Sequence, residues 1–461
     1  MATRFVPIDR DTPLLLPPNL RDWVPADHLV HFAVDAVAAL DLRQVKVNER
    51  GTGSEQYPPT MLLALLIYSY ATGVFSSRRI EQSTHDSVPV RVLTADTHPD
   101  HDTLCPFRRE NKALLTESFV KVLPLAQQLK VLQVGQITVA VDGTKILANA
   151  SKHSAVSYER AGQMIEQLEL EVQQLVAKAE QADSTPLQDG LTIPEEITRR
   201  QERQAALAKA RTEIEARAQA RYAAELAEHE QKLAARAARK ERGERVGGQP
   251  PKAPTPEPAG TDQYNFTDAE SRIMKAGNGN HFEQSYNAQA AVEVGSRLIV
   301  GERVSQSPND KQELLADLQA IPEPVGSMAA VLTDSGFYSE SAVRAAEQTG
   351  CTTVYAPLER RSHHRSVADL EQAVEPPPPA TGASVSEVMK HRLATTAGKQ
   401  KYKLRQQTVE PVFGILKSVL GFRRFLLRGV EKVKLEWTRV CAAYNLKRLH
   451  RLGGFNLAVA G

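Results

Sequence analysis

The chain has 461 residues, 41% of them hydrophobic, enough for two or three domains with real cores. No stretch approaches the ~18 to 20 uncharged apolar residues that span a bilayer, and Met1–Arg10 lacks the basic start and apolar centre of a signal peptide. Cys105, Cys351 and Cys441 lie far apart and suit a reducing compartment, so the expectation is a cytoplasmic protein with no membrane partner. The net charge of +2 conceals an asymmetry: Lys390 to Leu452 holds 16 Lys/Arg against three acids, Glu410, Glu431 and Glu436. That imbalance fits a polyanion or a plain solvated basic face.

Residues 1–25 are Pro-rich, and short helices follow to about Phe119. Asp27 is expected to cap a helix to Leu40, Pro58-Pro59-Thr60 to open an apolar helix from Met61 to Thr72, and further helices to begin at Ser76 and at Asp102-Thr103. At Gly135 the texture changes. Gln136 to Asp142 is a β-branched run ending in an acid, and reads as a buried strand.

Residues 158–245 then interrupt with Ala, Glu, Gln, Arg and Lys. Ile165, Leu168, Val172, Leu175, Ala179 and Ala182 form a short heptad seam, Ser184–Gly190 breaks it, and Thr192 to Glu195 is a capping box for a second helix. A helical hairpin serving as spacer or dimerisation arm is the expected outcome, with a Pro-rich link from Val246 to Gly260.

Strand texture resumes as a hairpin, Ser285–Val294 and Arg297–Val304 about Gly295-Ser296. Asn309 or Asp310 is expected to cap a helix to Ala320. Met328–Thr333 is a strand followed at once by Asp334, Ser339–Thr349 a helix, Cys351–Ala356 a strand and Pro376–Pro379 a loop. Helices are expected over Lys399–Ser418, with Pro411 inside, and from Glu431 to Leu452. This order describes a mixed sheet with helices on its faces.

Asp142 and Asp334 each follow an apolar strand and precede small residues, Gly143 and Ser335-Gly336; Glu410 lies on a late helix. Two divalent ions clamping the attacking and leaving oxygens of one phosphorus need little more than converging carboxylates. Alone, each aspartate is an ordinary strand-to-loop turn and Glu410 an ordinary helix-surface acid. Glu410, however, is the sole acid among Lys399, Lys401, Lys403, Arg405 and Lys417, and either pairs with them or holds a metal beside phosphate-binding cations.

Val141-Asp142-Gly143-Thr144-Lys145 resembles the first-acid motif of bacterial insertion-sequence DDE transposases; Leu332 to Ser339 resembles the second, and Thr408 to Lys417 the third. The nearest groups are those numbered four, five and eleven-eighty-two. Tyr286 to Val292 is similar to the family's hairpin strand, Pro58–Glu81 and Asp102–Arg108 to its N-terminal helices, and Tyr444–Leu449 to its C-terminal helix.

The resemblance implies an α/β fold: an RNase H-like mixed five-stranded sheet with flanking helices, an N-terminal all-helical domain and a long helical-hairpin insertion. The corresponding domains are 1–130, a DNA-binding helical domain; 131–157 with 261–452, the catalytic domain; and 158–260, the insertion and linker. It implies Asp142, Asp334 and Glu410 as ligands of two Mg²⁺ ions, with Mn²⁺ substituting. Water attacks first, and the freed 3′-hydroxyl then attacks target DNA. Tyr402, Arg405 and Lys417 are implied at transposon-end phosphates, and Arg423, Arg424, Arg78 and Arg79 are further expected DNA contacts. The signature often places arginine four residues before the glutamate, where this chain has Gln406; Arg405 stands five before. The implied partners are double-stranded DNA, as terminal inverted repeats and target, and a second copy in a synaptic homodimer, with the protein on the nucleoid. The alternative is a catalytically silent DNA-binding protein derived from a transposase.

Other signals carry less. His98, His101, Asp102 and Cys105 are spaced for zinc but interrupted by Pro99 and Pro106. His363-His364 sits among arginines, Gly277–Asn280 is a turn, and Trp437 is expected in the core.

Overall fold

A computed structural model of the chain describes residues 19–40, 42, 45–46, 56–132, 136–182, 193–241, 243, 249–275, 281–348, 353–359 and 375–453. Residues 1–18, the break at Ser184–Gly190, Thr192 of the expected capping box, the Gly277–Asn280 turn and His363-His364 lie outside the described residues. The described residues form two compact units: those up to Ile146 together with those from Tyr286, and Leu147–Ser285.

The first unit begins with helices α1 (Leu29–Ala38), α2 (Pro59–Ala71), α3 (Ser77–Asp86), α4 (Val88–Leu93), α5 (His101–Glu110) and α6 (Lys112–Gln128). Two caps differ from expectation. The side chain of His28, not Asp27, accepts from the Val30 amide to start α1, and Asp100 accepts from Thr103 to start α5. The true caps lie one residue after the first expected position and two before the second, and both have the extended backbone that a cap requires. α2 has Pro in its first turn, where no amide is needed, and every residue from Leu62 to Ala71 is buried. An all-round apolar helix must be covered on all sides. The last helix, which we number α13 (Val430–Arg451), packs against both α2 and α6.

The sheet of this unit contains β1 (Ile137–Leu147), β5 (Phe282–Glu293), β6 (Ile299–Ser305), β7 (Met328–Leu332) and β8 (Val354–Tyr355). Their order is β6-β5-β1-β7-β8. β1, β7 and β8 run parallel, with Ala140 opposite Leu332 and Leu332 opposite Tyr355; β5 and β6 form the antiparallel hairpin. This is the expected mixed, RNase H-like arrangement. Parallel strands covered on both faces read as continuous apolar runs, which is why Val139–Val141 and Val331–Leu332 are fully buried.

Around the sheet lie α9 (Leu314–Gln319), α10 (Glu340–Gln348), α11 (Val385–Ala394) and α12 (Thr396–Gly414). The chain continues from α12 into a short π-helical turn, Ile415–Val419. Three expectations need correction here. β1 does not end at Asp142 but runs on to Leu147, because Thr144 and Ile146 continue its β-branched texture. α9 starts only at Leu314, and Asp310 is not its cap. Its carboxylate is taken instead by two buried amides, described below. α11 was not expected, although Ser384 and Glu387 form a full capping box ahead of it.

The second unit is built on two long helices, α7 (Tyr158–Ala182) and α8 (Ile193–Glu241), packed on each other. Its core gathers Val156, Ala161, Leu168, Leu207, Ala210, Ile214 and Tyr264. A two-stranded sheet of β2 (Ala155–Ser157) and β3 (Gln263–Asn265) closes one part of that core. β4 (Arg272–Lys275) pairs with the first four residues of β5. None of these three short strands was expected, since three or four residues of mixed polarity show no period.

Candidate active site

Asp142 stands at the sixth residue of β1, and Asp334 stands two residues beyond β7, capping a short 3₁₀ turn with Oδ1 on the Gly336 amide at 2.8 Å. The parallel pairing of β1 with β7 brings these two positions to one end of the sheet. Glu410 comes from α12. The side chain that joins the three is Arg405, also on α12. Its guanidinium lies 2.9 Å from Asp142 Oδ2, 4.0 Å from Asp334 Oδ2 and 3.3 Å from Glu410 Oε1.

Arg405 is the buried member, at 10% side-chain exposure, while the acids grade outward at 15% for Asp142, 40% for Asp334 and 53% for Glu410. Burial pushes the Asp142 carboxyl up to about 7; Arg405 pulls the other way, and Asp334 adds to the rise. Burial works against the Arg405 charge, but Asp142, Tyr402, Asp334 and Glu410 together hold it above its ordinary value. Arg405 Nε is buried without a hydrogen-bond partner.

The expected phosphate contacts fall into two sets. Lys417 is partly buried, its Nζ donates to the Lys145 carbonyl of β1 at 3.1 Å, and burial lowers its pKa. Arg423 is exposed and donates through Nε to the Lys417 carbonyl at 3.0 Å. Arg424, Arg78 and Arg79 are exposed, and Tyr402 is half-buried. Gln406, at the position the signature favours for arginine, is exposed. The residue five before the glutamate is therefore the one that enters the site.

A second layer was missed by sequence reasoning. Asp310 Oδ1 accepts from Asn287 Nδ2 at 2.6 Å and from Gln289 Nε2 at 2.7 Å, with Lys145 Nζ at 3.7 Å. Asn287 and Gln289 are buried residues of β5, two apart and so on the same face. This layer sits directly on Gly143: a Cβ there would meet Gln289 Nε2 at 2.5 Å and Asp310 Oδ1 at 2.7 Å. The glycine thus leaves room for side chains of its own fold. The signal was available, since Asn287 and Gln289 are polar residues inside an otherwise apolar strand, which calls for a buried partner.

The zinc-like spacing does not gather. His101 contacts Glu81 at 2.7 Å, His98 contacts Thr84 at 3.1 Å, and Cys105 is exposed. Among the described residues, no three acid, histidine or cysteine side chains stand close enough to hold a metal ion directly. The three acids are instead spaced around a guanidinium. No described helix is long and apolar enough to cross a membrane.

Residues 18–110 match a family model described as a transposase domain (DUF772), and residues 380–450 match one described as a transposase DDE domain. The second match includes Arg405, Glu410 and Lys417 but neither aspartate. No curated protein and no solved structure matches the chain. The two matched segments, toward either end of the chain with the mixed sheet between them, are thus similar to transposase domains.

Proposed function

We propose that Asp142, Asp334 and Glu410 form a divalent-ion centre that cuts DNA at the ends of a mobile element and joins the freed ends to a target. The observation that carries this reading is the single guanidinium in contact with all three carboxylates. A cation already stands among them, and its contacting nitrogens take the place of metal ions.

The donor set suits Mg²⁺ and Mn²⁺, since all three ligands are carboxylate oxygens. Asp142 and Asp334 would hold the ions from the sheet and Glu410 from α12. When bound, two ions stabilise the attacking and leaving oxygens of an in-line displacement. The chain's own part is positional. β1 and β7 fix the two aspartates, Asp334 being further held by the Gly336 amide. The Asn287–Gln289–Asp310 layer packs closely against Gly143, one residue from Asp142. Lys417 and Arg423 lie beside this end of β1 and supply positive charge for phosphates, the term that dominates sequence-independent DNA affinity. Exposed Arg78 and Arg79 on α3, and Arg424, would engage the duplex further out. A synaptic homodimer would bring two element ends together.

The test is strand cleavage of the element's own end DNA in Mg²⁺. Asp334→Asn preserves shape and removes a charged ligand, so cleavage should fall by several orders of magnitude with end binding kept. Undiminished cutting by that variant would remove Asp334 from the chemistry. Loss of binding together with cutting would assign it to the interface instead.

A further inference from the structure

We propose that Arg405 is a resident counter-ion of the carboxylate site, which excludes divalent ions while it is seated and becomes a phosphate ligand when they displace it. The inference rests on the reading of Asp142, Asp334 and Glu410 as metal ligands, and it adds a second position and a second role for Arg405.

Three observations carry it. The guanidinium contacts Asp142 at 2.9 Å, Glu410 at 3.3 Å and Asp334 at 4.0 Å, so the oxygens that would bind an ion are turned on the arginine. Among the described residues no three ligand side chains are gathered for a metal while it sits there. Three like charges at one place need a cation between them, and a planar five-donor group holds carboxylates apart at hydrogen-bond length, whereas an ion draws them in to about 2.1 Å. The two arrangements are sterically exclusive.

The seated form is also poised to leave. Arg405 Nε is buried and has no hydrogen-bond partner. Two of the three contacts are made to half-exposed acids, where water screens the attraction and can replace the arginine at little cost. The Asp142 contact is the most sheltered of the three. A long side chain rooted on α12 can swing outward while its backbone stays fixed, toward the side where Lys417 and Arg423 add positive charge. An arginine released there meets a phosphate with the same fork geometry it offered the carboxylates.

The experiment is Mn²⁺ binding without DNA, followed by loss of the free-ion paramagnetic resonance signal, on the full chain as wild type, Arg405→Met, Arg405→Lys and Asp334→Asn. Melting in EDTA and in Mn²⁺ is read in parallel. If Arg405 competes with metal, Arg405→Met binds Mn²⁺ roughly tenfold or more tightly than wild type, in the range of ordinary coupling between sites. Its melting temperature falls in EDTA and recovers in Mn²⁺, and Arg405→Lys lies between the two. Equal or weaker Mn²⁺ binding by a folded Arg405→Met overturns the proposal and makes the arginine a permanent structural partner. Should Arg405→Met not fold, Arg405→Lys decides: binding no tighter than wild type overturns the proposal. Asp334→Asn separates this from the underlying assignment, because undiminished Mn²⁺ binding by that variant would sink the metal-ligand reading itself.

Discussion

At the scale of single residues, one closely fitted position beside the candidate site has no side chain. Gly143 lies beneath Gln289 and Asp310 at distances that admit a methyl group only if those side-chain ends shift. Gly143→Ala should destabilise the protein by about 1–3 kcal/mol, as overpacking of a close-fitted interior does, and displace Asp142 beside it. Urea unfolding measures the first effect and Mg²⁺-dependent cleavage the second; wild-type values for both would show that the layer yields freely. Glu302 is a pH probe remote from those acids. Burial pushes its carboxyl from 4.5 up to about 7, against the pull of its Thr438 hydrogen bond and of Lys434. The folded protein therefore keeps a proton that the unfolded chain releases, so stability falls as pH rises through that window. Glu302→Gln should melt higher than wild type above pH ~7 and show a flatter decline between about 4.5 and 7. Parallel melting curves for the two proteins would count against a raised Glu302. Both sites also mark where sequence reading stopped. Gly143 was seen, but its partners come from β5 and from Asp310, far away in sequence. Asn309 and Asp310 stand ahead of an apolar segment, where the commonest role of such residues is a helix cap.

At the scale of elements, strands and helices with a strong period were legible and those without were not. β7, the hairpin of β5 and β6, the apolar α2 and the basic α13 all follow from runs of five or more patterned residues. β2, β3 and β4, with three or four residues each, exist because neighbours pair with them. The C-terminal helix shows how side chains complete what pattern begins. Asn445 of α13 clamps Ile299 of β6, its Oδ1 accepting from the Ile299 amide at 2.9 Å and its Nδ2 donating to the Ile299 carbonyl at 2.7 Å. Trp437, expected in the core, is buried there and donates to the Gln289 carbonyl at 3.0 Å. Asn445→Ala leaves two buried backbone groups unpaired and should lower stability by about 2–4 kcal/mol. A shift in urea midpoint smaller than that of an exposed control such as Lys432→Ala would show that water replaces the clamp.

At the scale of the whole chain, two compact units with separate cores follow from one long interruption in strand texture. Leu207→Ala, in the core of the second unit, should cost about 2–5 kcal/mol locally. Its loss of hydrogen-exchange protection should be confined to 147–285, with Val139–Val141 still protected. Protection lost equally in both would mean that they unfold as one. The order of the three acids along the chain was legible because each sits on or next to an element with a clear period. The meeting of those acids on Arg405 was not, because it joins β1, β7 and α12 through one long side chain, and only folding decides which of several nearby cations turns inward.

The most direct test of a metal centre built from these acids is a change of ligand chemistry at Asp334. Asp334→Cys replaces a hard oxygen with a soft sulfur, which Mg²⁺ binds poorly and Mn²⁺ accepts more readily. The account predicts that this variant cleaves element-end DNA negligibly in Mg²⁺ and recovers a substantial part of wild-type cleavage in Mn²⁺. Wild-type cleavage in Mg²⁺ by Asp334→Cys would contradict it.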